Sequence, residues 1–217
     1  MTMPINDVET RILGALIEKE LTTPEYYPLT LNSLTNACNQ KSNRDPVVAF
    51  DEEDVVRGLD KMRVKGYARL SGEGGRVPKY CHCLGEKLAP PELAVLAELL
   101  LRGPQTLGEL RTRCERMSPF ADIAAVEEVL ADLQKFELMF VTLLPRQPGQ
   151  KEQRYAHLLS GEPVFQSVEK ELSPEKARVR VMAEDERFAA LEAEVHELKD
   201  EVASLKKIID EFRAQFE

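Results

Sequence analysis

Apolar positions recur at helical spacing in six blocks, and short alternating runs close each group of three. Val8, Ile12, Leu13, Leu16 and Ile17 share one stripe and predict a helix from about Asn6 to Glu20. A second helix starts at Thr30, and a third runs from about Asp51 to Lys65 with Val55, Leu59 and Met62 inward. Two strands follow, Tyr67–Leu70 and Val77–Leu84, around a glycine-rich turn that holds Gly72, Gly74 and Gly75. The order then repeats. Pro90-Pro91 opens a helix carrying Leu93, Leu96, Ala97 and Leu100, since proline is tolerated in a first turn. Thr106 with Glu109 fits a capping box, and Val126, Val129, Leu130 and Leu133 line a helix from about Asp122 to Lys135. Strands Leu138–Leu144 and Arg154–Leu159 complete the second set.

The repetition extends to residue identities. Pro28-Leu-Thr-Leu-Asn-Ser-Leu-Thr-Asn-Ala-Cys38 lies over Pro104-Gln-Thr-Leu-Gly-Glu-Leu-Arg-Thr-Arg-Cys114, with Pro, Thr, two Leu and Cys in register. Glu9–Leu16 matches Glu92–Leu99, Leu59 and Met62 match Leu130 and Leu133, and Tyr80–Leu84 matches Tyr155–Leu159. Anchors in one order, with length changes only between them, mark a duplication. Three helices closed by a hairpin are a helix-turn-helix with a wing. The expected fold is mainly α with small β-hairpins: two tandem winged-helix domains, residues 1–86 and 87–160, then a linker over 161–180 containing Pro163, Ser173 and Pro174.

From 181 to 217 the pattern changes. Phe188, Leu191, Val195, Leu198, Val202, Leu205, Ile209, Phe212 and Phe216 lie alternately three and four residues apart. β-Branched residues at a with Leu at the central d positions favour a parallel two-stranded coiled coil. The flanking pairs Arg187/Glu192, Glu194/Lys199 and Glu201/Lys206 are opposite in sign across such a dimer. The competing reading is a helix folded back on its own chain. The expected self-partner is a parallel homodimer.

Two stretches, Leu21-Thr-Thr-Pro-Glu-Tyr-Tyr-Pro-Leu-Thr-Leu-Asn-Ser-Leu34 and Cys38-Asn-Gln-Lys-Ser-Asn-Arg-Asp-Pro46, resemble the YceH-like family of uncharacterised bacterial proteins. The resemblance covers both repeats and the C-terminal helix. It implies the tandem winged-helix fold and brings no activity, ligand or catalytic residue with it.

Composition restricts the chemistry. The chain has 217 residues, of which 29 are Lys or Arg and 38 Asp or Glu, for a net charge of −9. An acidic balance weighs against a nucleic-acid binder, which usually presents a basic surface. No secretory signal is read in the opening MTMPINDVET, and no apolar run is long enough for a membrane span. Four cysteines in a chain this long fit reduced thiols better than a disulfide framework, so the expectation is a cytoplasmic protein.

Double-stranded DNA is the first candidate partner, because the third helix of a winged helix enters the major groove while the wing meets phosphate. Arg57 and Lys61 lie on the outer face of that helix in the first repeat. Lys41, Asn43 and Arg44 precede it, and Arg69, Arg76 and Lys79 lie on or beside the wing. Against this, Asp51-Glu-Glu-Asp54 opens the same helix, and residues 5–86 hold 11 cations and 13 anions. Those carboxylates also suit the helix macrodipole. The polar loop Asn39–Pro46 reads equally as a solvated turn or as a grip on phosphate or a partner. The second repeat's third helix has one cation and four acids, so protein contact is expected there instead.

Metal and catalysis find little support. On a strand, Cys81 and Cys83 face one side and His82 the other, too few ligands together for a structural zinc. His82 has its counterpart in His157, which suggests a packing position shared by both copies. Cys38 and Cys114 match likewise and read as core thiols, and His196 falls at an outward heptad position. The expectation is a binding protein without catalytic residues, metal or cofactor, with a DNA-free protein-interaction module as the alternative to DNA binding.

Overall fold

In the computed structural model the described residues are 4–72, 77–135, 139–146, 150 and 152–161. The heptad positions from Phe188 to Phe216, the linker beyond Gly161, His196 and Arg76 lie outside them. Through Val164 the chain forms one compact unit. It is mainly helical with small antiparallel sheets: α1 (Asp7–Thr22), β1 (Leu29–Thr30), α2 (Leu31–Cys38), α3 (Glu52–Val64), β2 (Ala68–Leu70) and β3 (Lys79–His82), then α4 (Pro90–Arg102), α5 (Leu107–Arg113), α6 (Ile123–Lys135), β4 (Val141–Leu143) and β5 (Tyr155–His157).

Local chemistry explains where most helices begin. Asn6 and Glu9 form a capping box on α1, Asp51 and Asp54 on α3, and Thr106 and Glu109 on α5. Each satisfies two of the orphan groups at a helix start. Thr30 caps α2 through Ser33 N–H. Gly103, at φ 72°, ends α4 in a backbone region where a side chain would be strained.

The two halves share one topology. In the first, β3 pairs with both β1 and β2, giving the sheet order β1-β3-β2. Leu29 and Leu70 both lie opposite Tyr80. In the second, β4 pairs with β5, and a bridge from Gln105 to Tyr155 takes the place of β1. Gln105 is the residue that the repeat sets against Leu29. The short strand is an addition to the two-stranded hairpin expected from the sequence.

The cores of the halves are continuous, one cluster running from Ile5 to Leu159. α1 packs along α4 as well as against α2 and α3. It is therefore buried on every side from Glu9 to Glu18, not on the single stripe that its periodicity suggested. Gly14 permits the close approach: a Cβ there would lie 2.8 Å from Leu101 Cγ. The chain's start joins the end of the second half, with Ile5 N–H donating to Leu159 O at 2.8 Å and Thr10 Oγ1 3.0 Å from Ser160 Oγ. Among the described residues no helix is long and apolar enough to cross a membrane.

Candidate nucleic-acid interface

The residues expected to meet phosphate divide into two groups. Lys41, Arg57, Lys61, Arg69 and Lys79 are exposed. Arg57 stands 2.5 Å from Asp54 on its own helix, and Arg69 reaches toward Glu86 at 3.8 Å. Lys41, Lys61 and Lys79 make no ion pair among the described residues. Beside them on α3, Glu52, Glu53 and Asp60 are exposed as well, so this helix presents acids among its cations.

Arg44 and Asn43 are placed differently. Arg44 was expected on the phosphate footprint, but its side chain is fully buried and cannot reach a phosphate. Its Nη2 lies 2.6 Å from Glu18 Oε2 and also donates to Ala37 O at 2.9 Å and Gln40 Oε1 at 3.2 Å. Its Nε donates to Ala37 O and its Nη1 to Asn43 O. Asn43, half-buried with φ 58°, accepts from Arg102 of α4 through its Oδ1. Asn tolerates this left-handed geometry better than most residues.

The whole Asn39–Pro46 loop follows this arrangement. Asp45 N–H donates to Leu101 O at 2.9 Å, and Arg11 of α1 donates to Cys38 O and Pro46 O. Asn39 exchanges two hydrogen bonds with Phe50. The loop that read as either a solvated turn or a grip is a fastener between α1, α2 and α4.

Charges gather where the halves meet. Glu18 has Arg44 on one side and Arg116, from the second half, at 3.3 Å on the other. Burial alone would lift the Glu18 carboxyl, but the hydrogen bond and charge of Arg44, with Lys19 and Arg116, hold it below the usual carboxylate range. Glu98 of α4 is buried too, and there burial wins: its pKa is raised, Arg102 only partly offsetting it. Glu98 Oε2 and Arg102 Nε face each other at 3.0 Å but out of hydrogen-bond alignment.

The cations of the second half are similarly engaged. Arg111 donates to Ala121 O, Arg113 pairs with Glu109 at 3.4 Å, and Arg154 pairs with Glu109 at 2.8 Å.

Among the described residues, Cys38, Cys81, Cys114 and His82 are buried. Cys38 and Cys114 are fully buried, and burial pushes the Cys38 thiol up to about 12 and that of Cys114 higher still. A thiol held protonated is a poor nucleophile and a poor metal ligand. His82 accepts from Leu84 N–H at its Nδ1 (3.1 Å), which leaves its Nε2 proton to face Glu20 Oε2. Its backbone N–H donates to the Tyr27 hydroxyl at 2.8 Å. His157, its counterpart, is pushed down to about 4 by burial, and its Nδ1 has no partner. Among the described residues no three His, Cys, Asp or Glu side chains converge as a metal would require.

The two signature stretches in the sequence thus have visible duties. Tyr27 anchors β3, Thr30 starts α2, and Arg44 fills the junction between halves. Residues 5–150 match the family described as protein of unknown function, DUF480. Relatives named UPF0502 protein align over the full length of both chains, at 65% identity in Geotalea uraniireducens strain Rf4 and 64% in Geobacter metallireducens. One from Citrifermentans bemidjiense is 54% identical over 90% of each chain. The chain belongs to this DUF480/UPF0502 family, in agreement with the YceH-like resemblance.

Proposed function

We propose that this protein is a non-catalytic binding protein whose two winged helices are joined into one body and whose partner is another protein. The winged-helix reading is supported in the first half by the order helix, short strand, helix, helix and two strands, with the short strand beside the last, and in the second half by the same order with the Gln105–Tyr155 bridge in place of the short strand. One observation carries the choice of partner: Arg44, the cation ahead of α3, is spent inside the protein on Glu18. With Asn43 also engaged, the surface around α3 keeps no excess of positive charge. A parallel dimer through the 181–217 heptads would present two such bodies to the partner and raise affinity through effective concentration.

A second reading, DNA binding through the first half, is favoured by the exposure of Lys41, Lys61 and Lys79, which make no ion pair among the described residues. The two differ in salt dependence, because phosphate contacts release counterions. Fluorescence anisotropy of the full chain with mixed-sequence duplex DNA, at about 50 and 200 mM salt, separates them. The protein-binding reading expects no saturable binding at either salt. Binding that weakens steeply with salt and is lost in Lys61→Glu with Lys79→Glu would overturn it.

A further inference from the structure

The second half carries an open groove on the side of its sheet that faces the N-terminal turns of α5 and α6. Its volume is about 400 Å³. Leu143 and Tyr155, opposite one another in the β4–β5 ladder, contribute from the sheet, Leu107 from the start of α5, and Ile123 and Glu127 from α6. Glu152 closes the end near the hairpin. Ile123 and Leu143 keep 46% and 39% of their surface in water, though both are large and apolar. At the place of Ile123 the first repeat has Glu52, a residue of its capped α3 start, so the apolar character belongs to the second half alone.

Charge indicates what fits. Glu127 and Glu152 make no ion pair among the described residues, and both line the groove. Burial, and after it the Glu127 carboxylate, raises the pKa of the Tyr155 phenol. One amide at the start of each helix is already engaged: Thr106 accepts from Glu109 N–H and Asp122 from Ala125 N–H at 2.9 Å. Tyr155 exchanges both backbone hydrogen bonds with Gln105, at 2.8 and 3.0 Å. An anionic ligand therefore meets two carboxylates, while a cation beside an apolar side chain is complemented by both the acids and the apolar lining.

We propose that this groove docks a short segment of a partner protein, in which an apolar side chain enters between Ile123, Leu143 and Tyr155 while an adjacent lysine or arginine pairs with Glu127 and Glu152. Apolar anchoring supplies affinity, and the flanking charges select the sequence. The proposal rests on the protein-binding reading and names its site and partner chemistry.

Gly108 provides a clean block. It sits in the first turn of α5 at the groove's edge, and a Cβ there meets nothing within 4 Å. Gly108→Leu fills the opening without disturbing the core and improves helix propensity. The test is selection of a random dodecapeptide library displayed on phage against the immobilised full chain, with Gly108→Leu and Glu127→Lys/Glu152→Lys chains beside it. Enriched sequences are expected to pair an apolar residue with Lys or Arg. A synthetic peptide of the enriched sequence should bind each variant at least about tenfold more weakly, with melting temperatures unchanged. No enrichment, enrichment of acidic sequences, or peptides that bind Gly108→Leu undiminished would overturn the groove. Peptides that survive Gly108→Leu leave protein binding standing at another surface, whereas salt-sensitive DNA binding sinks the protein-binding reading itself, so the two failures are distinguishable.

Discussion

Arg44 and Glu18 meet at 2.6 Å with their side chains 0% and 1% exposed, 26 residues apart in the chain. Each charge offsets the cost of burying the other. Removing one member of a buried pair strands the other, at a cost of about 3–5 kcal/mol. The pair, with Arg116 added from the second half, ties both repeats to one arrangement of charges.

Glu18→Gln therefore lowers stability near neutral pH, and the deficit shrinks in acid. The sign follows from the depressed folded pKa. The wild-type carboxylate's contribution is complete above its unfolded value, near 4.5, and is lost as pH falls through the lower folded value. Urea unfolding at pH 7 and at successively lower pH reads this. An equal deficit at every pH contradicts it.

Glu98→Gln carries the opposite sign. A carboxyl whose folded pKa is raised helps the fold in acid and loses that contribution as pH rises through the folded value. Its Oε2 also makes no hydrogen bond. The variant should match or exceed wild-type stability at pH 8, the reverse of Glu18→Gln, in the same unfolding assay.

His157 provides a second pH window. Its folded pKa is about 4 against 6.5 for a free imidazole, so the native state holds it neutral. Stability tied to it is present above 6.5 and declines as pH falls toward 4, by up to about 3 kcal/mol. Because its Nδ1 has no partner, His157→Leu should stay near wild type at pH 7 and flatten the decline between 6.5 and 4. Thermal melts across that range check it.

Two glycines should respond unequally to alanine. At Gly14 the new methyl meets the branch point of Leu101 at 2.8 Å and Leu100 Cβ at 3.1 Å, atoms held between α1 and α4. At Gly58 the nearest atom, 2.5 Å away, is the terminal Cδ1 of Ile12, which a rotamer change can move, although Val8 Cγ1 at 3.2 Å limits the room. Gly14→Ala should lose about 1–3 kcal/mol, with Gly58→Ala the milder because the Ile12 methyl can turn aside, the gain in helix propensity being common to both. Chemical denaturation of both ranks them, and the reverse order would show that α1 and α4 are less tightly apposed than described.

Helix positions and caps were legible in the sequence because they depend on nearby residues. Thr106 with Glu109 forms its box as read, and Tyr155 echoes Tyr80 in both sheets. β1 was not legible, since two residues carry no alternation. The burial of Glu9, Arg11 and Glu18 is hidden for another reason: their partners Lys65, Cys38, Pro46 and Arg44 are distant in the chain and meet them only in the fold. Arg44 read as a phosphate ligand because its partners, Glu18 and Ala37, lie on other helices. The groove escaped notice because Ile123 and Leu143 are brought together only by the fold.

If the cationic loop ahead of α3 serves the fold and not a phosphate, its two cations must differ in what their removal costs. Urea unfolding of Arg44→Ala beside Lys41→Ala, with duplex DNA titrated into each folded variant, tests it most directly. The account predicts a loss of about 3–5 kcal/mol for Arg44→Ala, a change within about 0.5 kcal/mol for Lys41→Ala, and no DNA binding to lose in either. Wild-type stability in Arg44→Ala, together with loss of a salt-sensitive DNA affinity that the wild-type chain possesses, would contradict it.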